Sequence, residues 1–122
     1  MLNIINTTSV PAPNGHYSQA VEANGFIFTS VQLGVSPKRP DASVSDELKT
    51  ILYNIEQILL ASESKLSKVV KITIYLSDIK DWAVVDKVIE EFFGAHKPAR
   101  GIIPVSDLHL GAKVGAEVVA VK

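Results

Sequence analysis

Apolar positions recur along the chain at two spacings, and each spacing predicts its own kind of element. From Ser45 to about Ser62 the residues Leu48, Ile51, Leu52, Ile55, Ile58 and Leu59 return every three or four positions, which places them on one face of a helix. Ser43 followed by Asp46, or Ser45 itself, can cap its start by accepting from an otherwise orphaned backbone N–H. A second helix is predicted from about Asp81 to Phe93, with Trp82, Val85, Val88, Ile89 and Phe92 on its inner stripe and its end at His96 to Pro98. Val69–Leu76 alternates instead and is rich in β-branched residues. Val70, Ile72, Ile74 and Leu76 fall on one face of a strand, and Lys71, Thr73 and Tyr75 on the other. Gly25–Val31 and Val114–Val121 read the same way. Asn24-Gly25 separates Tyr17–Ala23 from Phe26–Val31, and that dipeptide tolerates the positive φ of a type I′ turn, so a hairpin is expected there.

The order is therefore β-β-α-β-α-β in one domain spanning residues 1–122. Pro37-Lys38-Arg39-Pro40 reads as a surface loop, and no internal repeat, low-complexity tract or linker interrupts the pattern. Two helices of these lengths can cover only one face of a sheet of five or six strands. The other face carries apolar side chains at Phe26 or Phe28, Val119 and Val121, which favours a partner over water. Composition points the same way. The 122 residues are 47% apolar with a mean hydropathy of +0.22, which excludes disorder and predicts a real core. A chain of this size buries only about two thirds of its unfolded surface, so some apolar surface is expected to hide against another subunit.

Charge and special residues narrow the function classes. Twelve Lys and Arg against thirteen Asp and Glu leave a formal charge of −1, with no basic arm or acidic tail, so no nucleic acid is expected as a partner. Lys65, Lys68 and Lys71 read as a solvated face. The absence of cysteine excludes disulfides, thiolate metal sites and a Cys nucleophile. With no signal-like N-terminus and no apolar run near the length of a membrane span, an intracellular, cytoplasmic protein is expected. His16, His96 and His109 have no metal-ligand spacing, and no phosphate or dinucleotide loop is present, so neither metal nor cofactor is expected. Arg100 follows the turn Lys97-Pro98-Ala99 into an apolar stretch, where it either snorkels to the surface or grips an anion with its planar fork. Tyr17 and Ser30, near opposite ends of the predicted hairpin strands, supply hydroxyls for a site or for the backbone.

The set Gly15-x-Tyr17-Ser18-Gln19-Ala20, Thr29-Ser30-x-Gln32, Asn54, Val70-Lys71-x-Thr73-x-Tyr75-Leu76-x-Asp78, Phe92-Phe93 and Pro98-Ala99-Arg100 resembles the RidA family, also called YjgF or L-PSP, over nearly the whole chain. The resemblance implies a chorismate-mutase-like α+β fold, a mixed sheet with two helices on one face, and a homotrimer with three ligand clefts at subunit boundaries. It also implies hydrolysis of reactive 2-imino or 2-enamino acids, products of pyridoxal-phosphate dehydratases, to 2-keto acids and ammonia. Some relatives have been labelled translation inhibitors or endoribonucleases. Carried onto this chain, Arg100 grips the substrate carboxylate and acts in catalysis with Tyr17, while Ser30, Val31 and Ile102 complete the substrate-binding wall.

Three departures accompany the matches. The usual Ser-Gly-Gln is Ser30-Val31-Gln32, and the usual Gly-Pro-Tyr is Gly15-His16-Tyr17. In the last strand Val-Glu-Ile-Glu becomes Val114-Gly115-Ala116-Glu117, so the glutamate credited with positioning the hydrolytic water falls on Gly115. Glu117 lies two residues on, about 6.6 Å further along the strand. Glu117 and His16 are the candidates for a compensating acid or base. Two functions are thus expected to compete, an imine deaminase and a ligand-binding or regulatory trimer that kept the clamp and lost the acid, both ahead of an endoribonuclease or translation inhibitor, for which no basic stripe, His pair or carboxylate cluster speaks.

Overall fold

The computed structural model describes residues 2–122. Seven strands and two helices follow the order β1 (Leu2–Ile5), β2 (Ala20–Ala23), β3 (Phe26–Thr29), β4 (Gln32–Leu33), α1 (Val44–Ala61), β5 (Val69–Leu76), α2 (Trp82–Phe93), β6 (Ala99–Pro104) and β7 (Val114–Val121). Ser43 is the cap of α1, accepting from the Asp46 amide at 3.1 Å, and Asp46 and Glu47 place negative charge at the positive end of the helix. Gly94, at φ 60°, stops α2. The inner stripe of α2 needs one correction. Trp82 is 43% exposed and belongs to the rim of that helix, and Phe93 is buried where the pattern led with Phe92, which is half-buried.

The strands form one mixed sheet in the order β1-β2-β3-β7-β5-β6, with β4 pairing β7 beyond β3. Only β5 and β6 run parallel, and α2 makes the crossover that a parallel pair requires. Asn24 and Gly25, at φ 51° and 80°, close the β2–β3 hairpin as the dipeptide predicts. The hairpin is shorter than its sequence pattern, since β2 begins at Ala20 and β3 stops at Thr29. β3 meets β7 in the register Phe28↔Val119, whereas β4 meets it at Gln32↔Ala116, so Ser30-Val31 contains one extra residue. At this break the Thr29 hydroxyl accepts from the Val118 amide at 3.0 Å. A second irregularity lies between Val69 and Lys71. It buries Val69 and leaves Val70 47% exposed, so Val70 does not share the face of Ile72, Ile74 and Leu76 as simple alternation predicts.

Both helices lie on one side of the sheet. Leu48, Ile51, Leu52, Ile55, Ile58 and Leu59 of α1 pack with Ile72, Ile74, Leu76, Val114, Ala116, Val118 and Ala120 in one core. Each large aliphatic side chain buried there contributes about 1.5–3 kcal/mol. Where β4 runs under α1 the approach is so close that a Cβ on Gly34 would stand 2.2 Å from the Glu47 carbonyl oxygen. Glu47 itself is buried and accepts from the Lys113 amide at 2.8 Å, fastening the helix to the start of β7. The opposite face is uncovered in a single chain. Phe26, Phe28 and Ile103 on it are between 42% and 47% exposed, as the excess of apolar residues over helical cover predicts. Among the described residues no helix is long and apolar enough to cross a membrane.

Candidate functional site

Residues 11–17 reach the β3–β4 break because buried side chains hold them there. The Gln19 carboxamide donates to the carbonyls of Thr7 and Pro11 and accepts from the Thr7 amide at 2.8 Å. Ser30 donates its hydroxyl to the Ser18 carbonyl at 2.6 Å, and its amide donates to Gln19 at 3.0 Å. Ser30 therefore fastens the backbone of one wall. Next to it Tyr17 is 48% exposed, with its hydroxyl donating to Asn14 Oδ1 at 3.2 Å. Tyr17 and Val31 share a cleft of about 560 Å³ with Gln32, Leu33, Asn54 and His109. No Lys, Arg, Asp or Glu lines it. His16 is exposed and does not line this cleft.

Gly115 lies behind Val31. A Cβ built on it would stand 3.1 Å from Val31 Cγ1 and 3.2 Å from Leu33 Cδ2, closer than side chains tolerate without yielding. The branched residue at 31 and the bare one at 115 thus occupy one space between them. Glu117 is half-buried further along β7, in register with Thr73 and diagonal to Tyr75. Burial raises the Tyr75 phenol above its ordinary pKa, and the charge and hydrogen bonding of the Glu117 carboxylate raise it further.

Arg100 is elsewhere. It stands on β6 in register with Ile72, so it shares the helix-covered face of the sheet. Its Nη1 donates to Asp86 Oδ1 at 2.5 Å, and its guanidinium carbon lies 5.2 Å from the centre of the Trp82 ring. Trp82 and Asp86 are four apart on α2 and so present one face to the arginine. That spacing is the sequence signal by which both could have been found. Arg100 lines a second cleft of about 440 Å³ with Asp86, Glu90, His96, Lys97 and Pro98. His96 Nε2 lies 2.7 Å from the Val69 carbonyl oxygen and ties the end of α2 to β5. Ile102, two residues past Arg100, is partly buried against the core. Among the described residues no three His, Asp or Glu side chains converge as metal ligands would.

The two clefts share no lining residue. Between the β3–β4 break and β6 lie β7 and β5, so the backbone at Val31 and that at Arg100 are about three strand spacings, roughly 14 Å, apart. One small acid cannot touch both within one chain.

Known proteins resemble the chain over nearly its whole length. The family model for endoribonuclease L-PSP matches residues 7–122. A RutC family protein of Pyrococcus horikoshii is 37% identical over 125 residues, covering 100% of this chain and 99% of that protein. The 2-iminobutanoate/2-iminopropanoate deaminase of Bos taurus is 38% identical, covering 98% of this chain and 89% of its own. Among solved structures, TdcF of E. coli with bound serine superposes with a TM-score of 0.90 at 30% identity, covering 98% of each chain.

Proposed function

The chain belongs to the endoribonuclease L-PSP family, the RidA/YjgF family of the sequence motifs, and from that membership we propose that it binds small 2-keto and 2-imino acids at a site completed by a second copy of itself. The reaction we assign to the site is hydrolysis of the imino acid to the 2-keto acid and ammonia. The observation that carries this reading is the separation of the carboxylate clamp from the hydroxyl wall. Arg100 and Tyr17 lie in different clefts of one chain, and the uncovered apolar face supplies the means of bringing copies together. A homotrimer is the assembly this reading adopts.

In the assembled site the planar Arg100 fork holds the acid end with paired hydrogen bonds. The substrate carboxylate competes there with Asp86, which holds Nη1 in the free chain. The imine carbon then faces the Tyr17 wall. Water adds its oxygen to that carbon, its protons pass to nitrogen with the Tyr17 hydroxyl as carrier, and the C–N bond breaks to release ammonia. Orientation and proton transfer suffice for so labile a bond. Support comes from relatives named as deaminases of 2-iminobutanoate and 2-iminopropanoate, and from a relative whose structure holds serine, itself a small carboxylate with nitrogen on the adjacent carbon. With no Lys or Arg in its lining, the Tyr17 cleft gives phosphate recognition no comparable support.

Gly115 favours a second reading, a ligand-binding trimer without hydrolysis. Threonine dehydratase with semicarbazide trapping separates the two: acceleration of keto-acid formation by this protein supports the hydrolase, and no acceleration leaves the binder. If calorimetry finds 2-ketobutyrate binding unchanged in Arg100→Ala, both fail, because both depend on the clamp.

A further inference from the structure

The Arg100 cleft carries both signs of charge. Arg100 and Lys97 line it from β6 and the turn before that strand, and Asp86 and Glu90 line it from α2. Asp86 and Glu90 are four positions apart, so they stand on one face of the helix. His96, the remaining polar residue of the lining, is already tied through Nε2 to the Val69 carbonyl. Two cationic and two anionic side chains leave the cleft with no net formal charge. A site that receives only a simple anion gains nothing from carboxylates beside its arginine, because each one weakens the hold on the ligand.

Asp86 is placed to do more than neutralise Arg100. Only its Oδ1 accepts from Nη1, and its side chain remains 45% exposed, so Oδ2 is open to a further donor. The Trp82 ring, 5.2 Å from the guanidinium carbon, gives the fork a second hold, so Asp86 can turn to a ligand while the arginine stays in place. Neither Glu90 nor Lys97 has an ion partner among the described residues, so the fold does not consume their charges either. The ligand that meets both signs at once has a carboxylate and a cationic nitrogen on neighbouring carbons. An imino acid protonated on nitrogen has this form. The 2-keto acid made from it does not, because hydrolysis puts a carbonyl oxygen where the cationic nitrogen was and leaves a simple anion.

We propose that Asp86 is a specificity-determining residue that pairs with the cationic nitrogen of the acid held by Arg100, so that the site favours the protonated 2-imino acid over the 2-keto acid. This rests on the clamp reading of the preceding section. When the ligand's carboxylate displaces Asp86 from Nη1, the freed carboxylate accepts from the nitrogen one carbon further on. After hydrolysis that nitrogen leaves as ammonia, Asp86 returns to Arg100, and its return favours release of the keto acid. Calorimetry of the whole protein at neutral pH with L-2-aminobutyrate and with L-2-hydroxybutyrate tests this without any substitution. The two acids share skeleton and geometry and differ in an ammonium group against a hydroxyl. The amino acid is expected to bind about tenfold more tightly, the effect of one charge-assisted hydrogen bond. In Asp86→Asn, which keeps the shape and removes the charge, the preference is expected to vanish, and the hydroxy acid to bind more tightly than it does to the native protein because Arg100 has lost its competitor. Equal or tighter binding of the hydroxy acid by the native protein overturns the proposal, as does a preference that survives in Asp86→Asn. If neither acid nor 2-ketobutyrate binds at all, the clamp reading falls and takes this proposal with it; if they bind without preference and lose that binding in Arg100→Ala, this proposal falls alone.

Discussion

At the residue scale the decisive contact is between two positions that the sequence shows separately. Val31 and Gly115 each depart from the pattern of the family, and nothing in the linear order joins residues 84 positions apart. The structure joins them, because the β3–β4 break turns Val31 onto the place a side chain at 115 would fill. Gly115→Glu alone is therefore expected to cost about 1–3 kcal/mol of stability through overpacking. Adding Val31→Gly is expected to return part of that loss, with a coupling of about 1 kcal/mol between the two changes, and to increase imine hydrolysis over the native chain. Denaturant unfolding of the four proteins in the cycle checks it, and simple additivity would contradict the shared space. Tyr75 offers a second test. Its neutral form is favoured in the fold by burial and by Glu117, so its pKa lies above the ordinary 10.0 and that stabilisation is full below pH 10. It is lost as pH rises through the raised folded value. Stability measured up to and beyond that pH is expected to fall more steeply in the native protein than in Tyr75→Phe, with Glu117→Gln between them. Arg100 itself is legible as a lone cation in an apolar stretch, whereas its partners Trp82 and Asp86 are hidden in a helix whose periodicity places Trp82 on the inner stripe although it is 43% exposed.

At the scale of elements, the helices were legible and the sheet only partly so, for reasons that differ strand by strand. α1 has a cap, an acidic first turn and an unbroken buried stripe, and each signal points to the same boundaries. β1 carries Leu2 and Ile4 at about 70% exposure, so it has no buried stripe to give it away. β6 follows Pro98, ends on Pro104 and pairs along one side only, on β5. The two irregularities at Ser30-Val31 and Val70 each shift the alternation by one residue, which moves every side chain beyond them to the other face. Gly34 shows how tightly β4 and α1 are joined. The atom opposing it is backbone, which cannot rotate away, so Gly34→Ala is expected to cost on the order of 3 kcal/mol, the upper end for overpacking. Gly101→Ala is the control, since a Cβ there meets nothing within 4 Å and is expected to leave the unfolding midpoint almost unchanged.

At the scale of the whole molecule, apolar excess and divided chemistry call for the same arrangement. Sequence arithmetic required an uncovered sheet face, and the structure places Phe26 and Phe28 on it. The fork and the wall are too far apart in one chain to serve one small acid, so a site between copies meets both demands. That claim can be tested by mixing defects. Arg100→Ala removes the clamp from one cleft, and Val31→Trp fills the other, so each protein alone is expected to bind no 2-ketobutyrate. Refolded together in equal amounts, the two form mixed assemblies in which an intact Arg100 from one copy meets an intact Val31 wall from its neighbour. Random assortment in a cyclic oligomer leaves about a quarter of the native sites whole. Calorimetry is expected to recover about that fraction of the binding stoichiometry at native affinity, and sedimentation to show the same assembly as the native chain. A site contained within one chain predicts no recovery at any mixing ratio, because every copy then carries one of the two defects.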